Sequence, residues 1–268
     1  MVTSSAFVTS TWTNAHQALL NDSFRTYNSK IRPSLNGEPT SVTVNFSPVV
    51  LNFIDEKSES LNMKSTLNMY WYDSRIQWKI GDYSNITLID IPQSDMWLPP
   101  IQIYNSLKPA AKLGFDEQTV RIYSTGIHHW TVVNTMETAC AIEISFYPFD
   151  TQVCEVTIYT PGVSVQEVNM IVDNDNPVNT NYLSESASWE FVGEGVAHTV
   201  LPDLENYQII SFKMWFKRRT SFYVLNIVLP VIFLSLTASA VFLLPGEETT
   251  FGLFLKQTNI GNSSFPNT

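Results

Sequence analysis

The chain has 268 residues, 44% of them apolar and 13% aromatic, and 15 basic against 25 acidic residues give a formal charge of -10. That length is enough for one core-forming domain of about 210 residues followed by a shorter segment. The acidic balance argues against a nucleic-acid partner, because phosphate binding needs clustered Lys and Arg; it either mildly suits the attraction of cations or merely keeps the domain soluble.

Met1 to Asn14 contains no apolar core of the length a signal peptide needs, so an exported form requires a different native start or a leader already removed. Leu19, Leu20, Phe24, Tyr27 and Ile31 then recur at helical spacing and predict a short N-terminal helix within residues 15–31. From about residue 40 to 217 the period changes to two, in short runs rich in Val, Ile, Thr, Tyr and Trp with Pro, Gly, Asn and Asp between them. Ile142, Ile144 and Phe146 alternate with Glu143 and Ser145. Ile210, Phe212, Met214 and Phe216 alternate with Ser211, Lys213 and Lys217. Strands at this spacing, with no long helix between them, predict a mainly β domain, an antiparallel immunoglobulin-like sandwich. Trp71, Trp78 and Trp97 are expected in its core or at its edges, and the Asn-, Asp- and Pro-rich stretch 161–188 reads as an irregular connection.

Phe222 to Leu244 is 23 residues without a charge. At about 1.5 Å per residue it reaches ~35 Å, enough to cross a hydrocarbon core of ~30 Å. One transmembrane helix is predicted, with Asn226 and Pro230 on a face that packs against protein. Lys217, Arg218 and Arg219 precede it and Glu247 and Glu248 follow. The positive-inside tendency alone would leave the sandwich in the cytoplasm, but long domains translocate largely regardless of charge. The expected organisation is an extracellular domain over 1–219, a membrane helix over 220–245 and a polar tail over 246–268.

The only cysteines, Cys140 and Cys154, are separated by thirteen residues. In a cytosolic protein two such thiols are ordinary core residues; in an oxidising compartment they form a disulfide. The membrane run and three glycosylation patterns, at Asn21, Asn45 and Asn85, favour the second setting. Closing a loop of about 15 residues contributes roughly 3 kcal/mol in the chain-entropy model.

Taken in order, Trp71 with Trp78, Trp97-Leu98-Pro99 before Tyr104-Asn105, the Cys140 to Cys154 loop with Tyr147-Pro148-Phe149-Asp150, and Arg218-Arg219 before Phe222, Asn226 and Pro230 make the chain closely similar to the Cys-loop receptors. These are pentameric neurotransmitter-gated ion channels, and the nicotinic acetylcholine receptor branch fits best. The resemblance covers about residues 15 to 255. It implies a domain at the cell membrane, in a postsynaptic setting, that binds a small acetylcholine-like amine between subunits of a homo- or hetero-pentamer.

Residue by residue, the resemblance assigns Tyr104 and Tyr207 to the principal face of the ligand site. It puts Pro161 where a tryptophan is expected, and the family's adjacent cysteine pair is absent. Tyr159, two residues before Pro161, either enters the pocket or packs beneath it. Thr66, His129 and Thr131 fall on the complementary face, where His129 either reports pH or is a solvated surface side chain. Phe149, Asp150 and Arg219 match charged and apolar contacts that pass binding on to the membrane domain, where Asp150 at the loop tip and Arg219 either form a bidentate pair or are two solvated charges worth under about 1 kcal/mol. Glu247 resembles a member of the negative ring of cation-selective pores. Lys256 to Thr268 leave that pattern, so the chain as written is expected not to conduct ions by itself, and a non-channel or dominant-negative form is the alternative. No cofactor or metal is expected. No nucleophile–base pattern supports an enzyme, since His128 and His129 on a strand point to opposite faces.

Overall fold

The computed structural model describes residues 4–242 except 110–112, 116, 174, 185 and 202–206, with side chains described from Thr11 onward and not at Leu201. The chain divides into two compact units at Arg219 and Thr220.

The first unit begins with helix α1 (Ser4–Phe24). Among the described residues ten strands follow: β1 (Thr40–Asp55), β2 (Ser60–Tyr72), β3 (Leu88–Pro92), β4 (Gln102–Ile103), β5 (Thr119–Tyr123), β6 (Ile127–Ala139), β7 (Thr151–Tyr159), β8 (Val168–Val172), β9 (Trp189–Leu201) and β10 (Tyr207–Arg218). One sheet has the order β3-β5-β6-β2-β1-β8 and the other β4-β7-β10-β9. Period-two sequences give each sheet one apolar face, and the two faces close on each other. Val42, Val44, Phe46, Leu67 and Met69 from the first meet Ile158, Ile210, Phe212 and Met214 from the second, all buried. Phe46 and Phe212 stack across the gap with ring centroids 5.1 Å apart. Trp71, Trp78 and Trp97 are core residues, as their sequence context predicts.

Three expectations change. The N-terminal helix runs over Ser4–Phe24 instead of 15–31. Tyr27 lies beyond it because its hydroxyl accepts the Trp97 N–H at 3.0 Å while Arg75 covers its ring at 4.6 Å. Ile142, Ile144 and Phe146 do not form a strand. Their segment is a turn loop in which the Gln152 carboxamide takes the place of a strand partner, accepting from Glu143 N at 3.0 Å and donating to Glu143 O at 2.8 Å. The sandwich is also not wholly antiparallel, because the connection over 161–188 contributes β8, which pairs parallel with β1 from Thr40↔Val168 to Val44↔Val172.

One side chain joins the two sheets beside β8. Buried Gln208 on β10 accepts the Met170 N–H at 2.6 Å and donates to Met170 O, Asn169 Oδ1 and His198 Nε2 at 2.8 to 3.0 Å. Its amide supplies β8 with the backbone partner that a further strand would otherwise give.

The second unit holds helix α2 (Ser221–Val241), mean hydropathy 2.2, long and apolar enough to cross a membrane. Its turn over Val224–Val228 is π-helical. Pro230 has no N–H to offer one turn back, and Asn226 turns its amide onto Phe222 O at 2.9 Å. Residues 243–268, including Glu247 and the expected tail, lie outside the described residues.

The register makes a sharp contrast between neighbours on β10. Phe212→Ala should cost about 3–5 kcal/mol, and Lys213→Ala should stay within about 0.5 kcal/mol, in denaturant unfolding of the full chain.

Candidate functional site

Three tyrosines share the outer side of the four-stranded sheet. Tyr159 closes β7 opposite Ile209 of β10 and Gln102 of β4. Tyr207 stands two residues before Ile209 and so faces the same way. Tyr104 is anchored by its backbone N–H to Thr157 O at 2.7 Å and by its neighbour Asn105. That carboxamide donates to Glu155 O at 2.9 Å and Ala139 O at 3.3 Å and accepts the Thr157 N–H at 3.0 Å, so it fills the gap between β6 and β7. The Tyr104 ring is thereby held 62% exposed. It meets Tyr159 edge to face at 5.4 Å, an arrangement that leaves aromatic surface available to a cation. Tyr159 is thus in direct ring contact with Tyr104.

The second set lies on the outer face of the six-stranded sheet, where register builds two rows. One runs Tyr70, His129, Arg121, Asp90 across β2, β6, β5 and β3; the next pairs Asn68 with Thr131, and Thr66 lies opposite Val133. Tyr70 and His129 stack at 4.2 Å, 10° from parallel. Thr131 Oγ1 donates to Asn68 Oδ1 at 3.0 Å and lies 2.9 Å from His129 Nε2. Arg121 and Asp90 form a forked ion pair at 2.9 and 3.2 Å. Burial, then the Arg121 charge, holds the His129 pKa below its ordinary value. His129 is thus a half-buried, stacked residue and not a freely solvated one. Sequence reading passed over Tyr70 and Asn68, although both alternate with Thr66 on one strand face and that period marks them.

His128 points inward as strand alternation requires, stacked on Trp71 at 5.4 Å, with Nδ1 bonded to Gly126 O at 3.0 Å. Among the described residues no group of three or more His, Cys, Asp or Glu is placed to hold a metal ion.

Cys140 and Cys154 form the disulfide. The loop they close carries exposed Phe146 and Phe149 outward, while Asp150 lies at its base, 3% exposed, and not at the tip. Its partner is Arg218 and not Arg219. Arg218 Nε and Nη2 donate to the two Asp150 oxygens at 2.8 and 3.0 Å, and Nη1 reaches Glu56 at 2.7 Å. The guanidinium also lies 4.2 Å from the Trp189 ring and 4.9 Å from that of Tyr147. Arg218 follows Phe216 in the inward alternation of β10; Arg219 is exposed and gives its backbone N–H to Ser188 O. Burial alone would raise the Asp150 pKa, but hydrogen bonds from Arg218 and Gln152 outweigh it and hold the carboxyl below its usual value.

The glycosylation candidates separate by exposure. Asn21 on α1 and Asn85 are exposed, Asn85 in a turn with φ of 60°. Asn45 is buried: its amide donates to Asn176 O and its carbonyl accepts from Ser47 and Asn68, so a glycan cannot reach it.

The sequence model of the neurotransmitter-gated ion-channel ligand binding domain matches residues 16–220. The chain is 28% identical over 245 residues to acetylcholine receptor subunit beta-like 1 of Drosophila melanogaster, covering 88% of this chain and 47% of that protein. It is 29% identical to acetylcholine receptor subunit beta-type lev-1 of Caenorhabditis elegans, covering 87% and 45%. With neuronal acetylcholine receptor subunit beta-4 of Gallus gallus the identity is 28%, covering 90% and 52%. The chain thus spans about half the length of the curated relatives it matches.

Arg218→Gln leaves Asp150 buried without its cation and should cost about 3–5 kcal/mol, whereas Arg219→Gln should cost a small fraction of that. Because the folded Asp150 pKa is depressed, the stability it contributes is complete above its unfolded value of about 3.9 and disappears as pH falls through the lower folded value. Unfolding curves of wild type and Asp150→Asn should accordingly differ most near neutrality and converge in acid. Glycopeptide mass spectrometry of the secretory-pathway product should find Asn85 occupied and Asn45 bare.

Proposed function

The chain belongs to the neurotransmitter-gated ion-channel ligand-binding domain family, and from that premise we propose that it is a subunit of a nicotinic-type, cation-conducting receptor whose extracellular domain holds a small amine between subunits. The observation that carries this reading is the pair of prepared surfaces on different sheets: Tyr104 against Tyr159, with Tyr207 on the adjoining strand, and His129 stacked on Tyr70 beside Thr131. Since each sheet presents one surface outward, a ligand touching both types of wall is held by two copies or by two different subunits.

Pro161 in place of a tryptophan leaves the tyrosine wall short of one ring. The second face has no such deficit in polar anchoring, because Asn68, Thr131 and His129 form one continuous hydrogen-bonded row. The reading that fits is a mixed pentamer in which this subunit contributes its complementary face most strongly and another subunit supplies the fuller aromatic box. Arg218 is the proposed relay: the Asp150 and Glu56 carboxylates clasp the residue that stands three positions before α2 begins at Ser221. Glu247 is proposed for the cation-selecting ring on the resemblance of its surrounding sequence alone.

Expression of the full-length gene product together with nicotinic subunits in oocytes should give acetylcholine-evoked cation current that requires this subunit. Absence of any subunit-dependent current would refute the reading. Tyr159→Ala should raise the half-maximal agonist concentration about 3- to 30-fold, the equivalent of one cation–π contact, while Tyr159→Phe should remain near wild type.

A further inference from the structure

We propose that the complementary face is proton-competitive: a cationic ligand and a second proton on His129 exclude one another, so acid disengages the amine from this wall. The inference rests on the receptor reading above and adds a mode of regulation to it.

The hydrogen-bond directions fix the tautomer. Asn68 Oδ1 can only accept, so the Thr131 hydroxyl donates to it at 3.0 Å. The Thr131 oxygen, 2.9 Å from His129 Nε2, is then left to accept, and Nε2 carries the proton of the neutral ring. Added acid must protonate Nδ1, for which no hydrogen bond is seen among the described residues.

The groups around the ring do not welcome a second charge. Tyr70 of β2 covers one ring face in parallel stacking. Arg121 of β5, the register partner of His129, is a cation, and its counter-charge Asp90 of β3 is committed to it through two hydrogen bonds. Glu117 lines the same shallow cavity of about 320 Å³ together with Asp90, Arg121, His129 and Thr131. Tyr123 of β5 and Asp173, beyond β8, act on the Tyr70 hydroxyl. Among the described residues no carboxylate is hydrogen-bonded to the imidazole. Its lowered pKa, caused by burial and then by Arg121, agrees with this geometry and keeps the ring neutral at physiological pH.

A neutral imidazole stacked on a phenol presents a π face that a quaternary ammonium can approach; an imidazolium in the same place repels it. Linkage makes the effect reciprocal, so a bound cation lowers the His129 pKa further, and protonation weakens the cation by the same factor.

The test uses the full chain assembled in its receptor, with acetylcholine and tetramethylammonium as probes. Affinity should fall about tenfold between pH 7.5 and a pH one unit below the His129 pKa. The NMR titration of the His129 ring should shift to lower pH when tetramethylammonium is saturating. His129→Gln keeps a donor for Thr131 and His129→Phe keeps the stack on Tyr70; neither can titrate, and both should give a flat pH profile. Affinity that is flat with pH in the wild type, a His129 pKa unmoved by the cation, or a pH dependence surviving in both variants would overturn the inference and leave the receptor reading standing. Failure of either amine to bind at pH 7.5 would sink both.

Discussion

A guanidinium with 1% of its side chain exposed is the constraint around which the disulfide-loop end of the sandwich is arranged. Taking such a charge out of water costs several kcal/mol unless each of its donors finds a partner in good geometry. Arg218 finds them in three separate pieces of chain: Glu56 in the turn after β1, Tyr147 and Asp150 in the disulfide loop, and Trp189 at the start of β9. None of these can move far without leaving a buried charge exposed to an apolar surrounding. The disulfide keeps the loop closed, and Gln152 ties its start to its end by bonding both Glu143 and Asp150. Phe146 and Phe149 of that loop are exposed, while its carboxylate Asp150 is buried.

The two candidate ligand walls follow opposite principles. Around Tyr104 and Tyr159 the anchoring is done by backbone and by Asn105, which leaves the rings themselves uncommitted. Around His129 the side chains are committed to one another, from Asn45 through Asn68 and Thr131 to the imidazole. The first wall exposes aromatic surface, and the second holds a preset pattern of donors and acceptors.

Much of the sandwich was legible because period-two burial is local information. The alternation from Ile210 to Phe216 predicts the inward face of β10, and extending it by one step selects Arg218 over Arg219. That step was obscured because an arginine reads as surface in any hydropathy pattern; only Asp150 and Glu56, distant in sequence, make its burial tolerable. Ile144 and Phe146 failed for a related reason, since alternation shows that a segment can pair but not that a strand stands beside it. Asn45 has a glycosylation pattern, yet its amide is used in the fold, a fact held by Asn176 and Asn68. The beginning of α1 was hidden by its Ser, Thr and Asn residues, which favour a helix weakly. On the two candidate walls, Tyr104, Tyr159 and Tyr207 are named by sequence pattern, whereas Tyr70 carries no motif and gains its place from the pairing of β2 with β6.

The carboxamide of Gln208 carries a mechanical consequence. The β9–β10 hairpin belongs to one sheet and β8 to the other, yet this side chain bonds the β8 backbone from both its oxygen and its nitrogen and His198 besides. A swing of the hairpin must therefore either break these bonds together or drag β8 with it. Through the parallel pairing of β8, the displacement would reach Thr40 to Val44 of β1. The hairpin behaves less as a free flap than as one arm of a lever whose other arm is in the opposite sheet, with a neutral amide as the rivet.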